Sequence, residues 1–330
     1  MTLPPTGLTP EPGERGRASD DVETMLADTV NAWDDLLASV ADVDMAAVGR
    51  KEGRTAARTL VVLGSWPEGR SLPAIRADAL AGVTYAEPLD DIEDRVIEAH
   101  VDDPAAQILA ALARARDEVA RWAASPRAND EALLPVGGPL GVVPLGTLVA
   151  ATAYQCAVAA RDLAPAGVVA PVALTRAGLS SLIDTVGAVA AQQRAAVALT
   201  AITPQVVIGV GARDGDWCTR RVPETQQGPA VNCDAGLLLD IAASRASAPA
   251  AYARGDLRAR DLGGLFALVQ VLAQAPGLPG TDGLRIALQA YAASTRVTAA
   301  AGQVGDALGG ALGGALGGAL GGAWRKWRGR

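Results

Sequence analysis

From Ser19 onward the apolar residues Val22, Met25, Leu26, Val30, Trp33, Leu36, Leu37 and Val40 recur at steps of three and four, which predicts a helix with one buried stripe. Ser19 and Asp20 are placed to cap it, and acidic residues in its first turn suit the positive end of the helix dipole. The same period predicts helices over 55–63, stopped by Gly64 and Pro67, and over 72–81. A longer one over 103–124 sets Ile108, Leu109, Leu112, Val119 and Trp122 on one stripe, with Pro104 in its first turn. The Pro- and Gly-rich stretch LLPVGGPLGVVPLG reads as a loop that leads into a helix over 145–163. Four principal helices of this kind form an antiparallel bundle.

Beyond a Pro-containing linker, 179–199 reads as a further helix, and then the period changes from helical to alternating. QVVIGVGA (205–212), DWCTRRVP (216–223) and PAVNCDA (229–235) are short strand-like runs separated by turn residues, a meander. Helices are expected again over 235–244, 261–275 and 283–299, with RGDLRARD (254–261) a short strand between them. The chain thus reads as mostly α: a leader over 1–18, a helical bundle over 19–168, a small α+β unit over 179–300, and a tail over 301–330.

At 330 residues, half of them hydrophobic, the chain has material for two cores. A net charge of -7 argues against a nucleic-acid surface, because phosphate binding needs clustered cations. Cys156, Cys218 and Cys233 lack metal-knuckle spacing and fit reduced, buried thiols, so a cytoplasmic location is expected. The leader MTLPPTGLTPEPGERGR has no apolar core and reads as disordered. Only one histidine is present, His100, which excludes a multi-histidine metal site; among Glu98, Asp102 and Asp103 it reads as a solvated surface imidazole. Lysine occurs only at Lys51 and Lys326 in a chain rich in arginine.

The tail from Ala307, ALGGALGGALGGALGGAWRKWRGR, pairs glycines too densely for an isolated helix in water. Small residues at four-residue spacing allow close backbone approach in lipid or against another copy. Trp324 and Trp327 interleaved with Arg325, Lys326, Arg328 and Arg330 suit the headgroups of an anionic membrane. A disordered, slippage-expanded tail, a peripheral contact at the inner face of the membrane or with another copy, and a membrane span all remain open at this point.

Two local patterns carry a family resemblance. In GRTAARTLVVLGSWPEG, Gly53-Arg54 takes the place of a Gly-Trp helix start and Val62-Leu63-Gly64 that of a His-Leu-Gly end; in YQCAVAARDL, Gln155 and Ala159 take the places of Glu and His four apart, and Asp162-Leu163 keeps the ending. With the order of bundle and α+β unit, the chain over roughly 19–300 resembles the mycothiol-dependent maleylpyruvate isomerase family. The resemblance implies a DinB-like four-helix bundle followed by a sterol-carrier-protein-2-like domain. It also implies a divalent metal at the positions of Val62, Gln155 and Ala159, mycothiol as the thiol cofactor, and an arginine lent by the second domain, for which Arg220, Arg221, Arg254 and Arg258 are candidates.

All three ligand positions are replaced here, two by aliphatic groups with no lone pair, so neither metal nor other cofactor is expected. The reading that follows is a degenerate, non-catalytic member of this family that binds a small or apolar ligand between its halves, with Trp66, Asp162, Arg220 and Arg254 as candidate contacts. Two alternatives stay open: a thiol-dependent isomerase or transferase that works through other groups such as Asp162 and a second-domain arginine, and a membrane-associated lipid-binding or scaffold protein.

Overall fold

The computed structural model describes residues 7–51, 53–83, 89–138 and 141–261, which all fall within one unit, Met1–Leu288. The helices expected beyond residue 261 and the repeat tail with Trp324, Arg325, Lys326 and Trp327 lie outside the described residues. The elements run α1 (Arg17–Asp20), α2 (Val22–Val40), α3 (Ala56–Val61), α4 (Leu72–Ala81), α5 (Leu89–His100), α6 (Ala105–Ala123), α7 (Ala128–Ala132), β1 (Pro135–Gly138), β2 (Gly141–Pro144) and α8 (Leu145–Asp162). Then follow α9 (Val172–Gln192), β3 (Val197–Ile202), β4 (Val207–Arg213), β5 (Asp216–Arg221), β6 (Ala230–Asn232), α10 (Ala235–Ala242), α11 (Ala248–Arg254) and β7 (Arg258–Arg260). The architecture is mostly helical with a small mixed sheet, whose order is β5-β4-β3-β6-β7; only the β3–β6 pair is parallel.

α9 joins the two parts. One side packs on α8 and α2, and the other lies on β4 and β5. Gly187 permits that second contact, since a Cβ there would stand 2.5 Å from Trp217 and 2.6 Å from Val210. Apolar on every side, α9 is long and hydrophobic enough to cross a membrane by composition, yet its central residues are buried in protein, as expected of a core helix with two partners. The larger of two apolar clusters among the described residues runs from Met25 and Leu36 on α2 through Leu179 and Val186 to Val210 and Trp217 on the sheet.

The sequence places a helix over 179–199, but α9 starts directly after Pro171 and stops at Gln192, and 197–202 is strand β3. Pro171 sets the start. The end turns on Arg194, a non-glycine residue at φ 50°, which no Gly or Pro announces. Because Val-Ala-Leu-Thr-Ala-Ile is apolar in either period, only pairing with β4 makes it a strand. The stretch read as the loop before α8 is a hairpin, with Val136 opposite Val143.

Residues 7–16, expected to belong to a disordered leader, form a packed strap across the sheet. Leu8 is 1% exposed and lies against Gly209 and Gly211, where any side chain would collide with it. Gly16 N–H donates to the Trp217 carbonyl at 2.8 Å, the Trp217 N–H donates to the Glu14 carbonyl at 3.2 Å, and Arg220 pairs with the buried Glu14 carboxylate at 2.7 Å. Composition marks such a stretch as unable to build its own core, but here it completes the core of something else.

His100 also departs from expectation. Its ring stacks on Trp66 with centroids 3.8 Å apart, and its nitrogens face Asp103 at 2.8 Å and Glu68 at 2.9 Å. Burial works against the charged ring, but the two carboxylates outweigh it and raise the pKa above 6.5. The ring's contribution to stability is therefore fully present below pH 6.5 and lost as pH rises through the higher folded value. His100→Phe keeps the stack but removes both bonds. Denaturant unfolding should show a wild-type decline of about 1 kcal/mol across that window, absent in the variant.

Candidate functional site

Gln155, Ala159 and Asp162 stand at i, i+4 and i+7 on α8 and so share one face. α3 packs against α8, and Val62 caps its end in helical conformation, half-buried. Gln155 is half-buried, and among the described residues its amide has no hydrogen-bond partner. Ala159 and Asp162 are buried. A valine, an alanine and a single amide do not supply a donor set for a divalent metal, and among the described residues no group of three or more His, Cys, Asp or Glu side chains converges to do so. The residues present do not fit the metal that the resemblance implies.

Asp162 has a different task. Arg245 Nε and Nη2 donate to its two carboxylate oxygens, each at 2.6 Å, while the Arg50 N–H donates to its backbone carbonyl at 2.7 Å. Next to it, Asp240 on α10 accepts from Arg161 Nε at 2.9 Å and Nη2 at 2.7 Å, and from Arg50 Nη1 at 2.9 and 3.0 Å. Gly236 keeps the surface of α10 low enough for Arg161 to lie across it, since a Cβ there would come 2.3 Å from Nη1. Planar guanidiniums matched to carboxylates in this fork geometry fix both partners, and the end of α8 is thereby tied to the loop at 47–55 and to α10.

Within this corner lies Lys51, half-buried and, among the described residues, without an ion pair. Burial first, then the Arg54 and Arg245 guanidiniums, lower its pKa against the opposing pull of Glu93 and Asp162. Arg54 is itself held by Glu93 at 3.3 Å. The Tyr154 hydroxyl is buried close to Arg245, Asp162 and Asp240, and burial pushes its pKa well above the usual phenol value. On the adjoining turn of α8, burial does the same to the Cys156 thiol, which removes it as a nucleophile. On α3, the Arg58 Nε is buried and has no hydrogen-bond partner among the described residues.

The other candidates from the sequence lie elsewhere. Arg220 faces the strap and pairs with Glu14, and Arg254 sits at the exposed end of α11 beside Asp256 at 2.8 Å. Trp66 is buried, donates to the Val61 carbonyl at 2.7 Å and stacks on His100, so it supports the end of α3 from behind. Residues that sequence reasoning passed over, Arg50, Lys51, Arg161, Asp240 and Arg245, make the corner. The one signal available was the isolated lysine in an arginine-rich chain.

No protein-family model matches the chain, and no curated protein matches it in sequence. Among solved structures, it is similar to a mycothiol-dependent maleylpyruvate isomerase, with a TM-score of 0.48 and 14% identity over 74% of this chain and 93% of that one. A mutant of that isomerase is similar at a TM-score of 0.46, with the same identity and coverage. A stereoselective inverting sec-alkylsulfatase from Pseudomonas sp. is similar at a TM-score of 0.26 and 14% identity, over 68% of this chain and 32% of that one.

Proposed function

We propose that this chain is a metal-independent, non-catalytic ligand-binding protein of the maleylpyruvate isomerase-like type, which holds a small molecule where the end of α8 meets the loop at 47–55 and α10. The observation that carries this reading is the state of Asp162. Of the residues retained from the family pattern it is the one able to move a proton, yet both its oxygens are engaged by Arg245. A carboxylate fixed in this way serves structure, which counts against a thiol-dependent isomerase or transferase built around it. Arginines crowd this corner and, among the described residues, Lys51 makes no ion pair, which favours an anionic ligand over a purely apolar one.

Purified full-length protein should carry no stoichiometric zinc, manganese or nickel by elemental analysis, even after expression in metal-supplemented medium. Thermal melting against a panel of small carboxylates, phosphate, short thiols and fatty acids should show its largest rise with an anion, and Lys51→Met should remove that rise. Stoichiometric metal, or thiol-dependent turnover abolished by Asp162→Asn, would overturn the reading.

A further inference from the structure

The strap over 7–16 ends against a carboxyl group sealed inside the protein. Gly16 lies on both the Asp184 side chain and the Trp217 indole, so closely that a Cβ there would stand 2.2 Å from Asp184 Oδ1 and 2.1 Å from Trp217 Nε1. Asp184 Oδ1 accepts from the Arg17 backbone N–H at 3.1 Å and from Trp217 Nε1 at 3.2 Å, so one oxygen joins the end of the strap to β5. Asp184 is 1% exposed, and among the described residues its Oδ2 has no hydrogen-bond partner. The Thr219 hydroxyl, on the same face of β5 as Trp217, is buried and equally unpartnered. The Arg17 guanidinium is taken by Asp28 on α2 at 2.7 Å, and among the described residues Asp184 makes no ion pair. An ionised carboxylate here would have two neutral N–H donors in place of water, at a high cost in free energy. A carboxylic acid avoids that cost and has a proton to offer.

We propose that the strap is a pH-operated latch, closed over the sheet while Asp184 is a neutral carboxylic acid and lifted when that group ionises. The latch is independent of the ligand site described above. Lifting bares the edge of β5 at Trp217 and the glycine-surfaced face under Leu8, where Cys218 stands opposite Gly211. Burial raises the Asp184 pKa above 3.8, against smaller opposing effects of Thr219, the Arg17 N–H, Trp217 and the Arg17 guanidinium. With the strap open, water reaches the carboxyl and the shift relaxes. The extra stability of the closed strap is therefore fully present below pH 3.8 and lost as pH rises through the higher closed value. The other elements on α9 set no free charge against this group. β4 turns Ile208, Val210 and Ala212 toward α9, β2 has no charged residue, and Arg161 and Asp162 of α8 and Asp240 of α10 are paired in the corner. Within the strap Arg15 pairs with Asp216, and Glu14 pairs with Arg220 but has Asp20 beside it, so Glu14 is the second carboxyl there with a raised pKa.

The test follows hydrogen exchange of the full-length protein from about pH 5 to about pH 8, corrected for the intrinsic pH dependence of exchange, in peptides covering Gly16 and Trp217. Both amides are held by the strap, Gly16 N–H on the Trp217 carbonyl and Trp217 N–H on the Glu14 carbonyl. In wild type their protection is expected to fall as pH rises, by at most about tenfold for each unit, while that of α8 holds. Asp184→Asn keeps the accepting Oδ1 and cannot ionise, so its protection should stay flat. Glu14→Gln removes the strap's second titrating carboxyl and should keep the wild-type slope. Flat protection in wild type, a slope that survives in Asp184→Asn, or one that disappears in Glu14→Gln would each overturn the proposal. The wild-type and Glu14→Gln titrations decide the outcome even if Asp184→Asn does not fold.

Discussion

Asp240→Ala is expected to lower the stability of the fold by about 3 kcal/mol, the cost of leaving buried or half-buried charges without their partner. Two guanidiniums converge on this carboxylate, from Arg50 at 2.9 Å and from Arg161 at 2.7 Å, and the Asp240 side chain is only 11% exposed. Removing it sets like charges against one another in a place where water reaches them poorly. The pairing is also what fastens α10 to the end of α8, so the loss should spread to both elements. Asp240→Asn keeps the size but gives up the charge and one acceptor oxygen, and should lie between wild type and alanine. Urea unfolding measures the difference directly. A double variant, Asp240→Ala with Arg161→Met, should recover part of the loss, because one of the stranded charges goes with it. A cost below about 1 kcal/mol for Asp240→Ala would mean that the corner behaves as an ordinary surface pair.

Gly211→Ala is expected to detach the strap. A Cβ at this position would lie 1.7 Å from the backbone carbonyl oxygen of Leu8, and backbone cannot swing aside as a long side chain can. The variant should therefore lose the burial of Leu8 and the contacts that follow it along the sheet, at a cost of roughly 2–4 kcal/mol. Two readouts separate this from general damage. Limited proteolysis should cut within 7–16 while the helices stay intact, and the Trp217 amide, which donates to the Glu14 carbonyl, should exchange its hydrogen faster. Gly53→Ala is the control: at φ 73° it carries backbone strain of about 1 kcal/mol, but nothing lies within 4 Å of its Cβ, so the strap should stay in place.

Much of the helical half could be read from periodicity because the helices α2 and α6 bury one stripe each, and a stripe at a period of 3.6 residues leaves a pattern in the chain. The strands β4, β5 and β6 were legible through their turns, at Asp214-Gly215 and around Gly228. α9 and β3 blurred together for the opposite reason, since elements buried on all sides carry no polar face to set a period. The strap escaped notice because a segment that adds one leucine and a few backbone bonds to another element's surface has no pattern of its own.

For the candidate site the division is sharper. What the sequence by itself determined is negative and chemical: Val62 and Ala159 have no lone pair to offer a metal, and no tertiary arrangement can supply one. It also contained Lys51, without saying that the lysine mattered. The tertiary structure alone decided which charges meet. Arg50, the neighbours Arg161 and Asp162, and the stretch from Asp240 to Arg245 come from three distant parts of the chain, and the pairing of each carboxylate with an arginine follows from the packing of α8 on α10 and from the placement of Arg50 against both. Opposite charges attract without regard to sequence separation, so composition can count them but only the fold can say which of them pair.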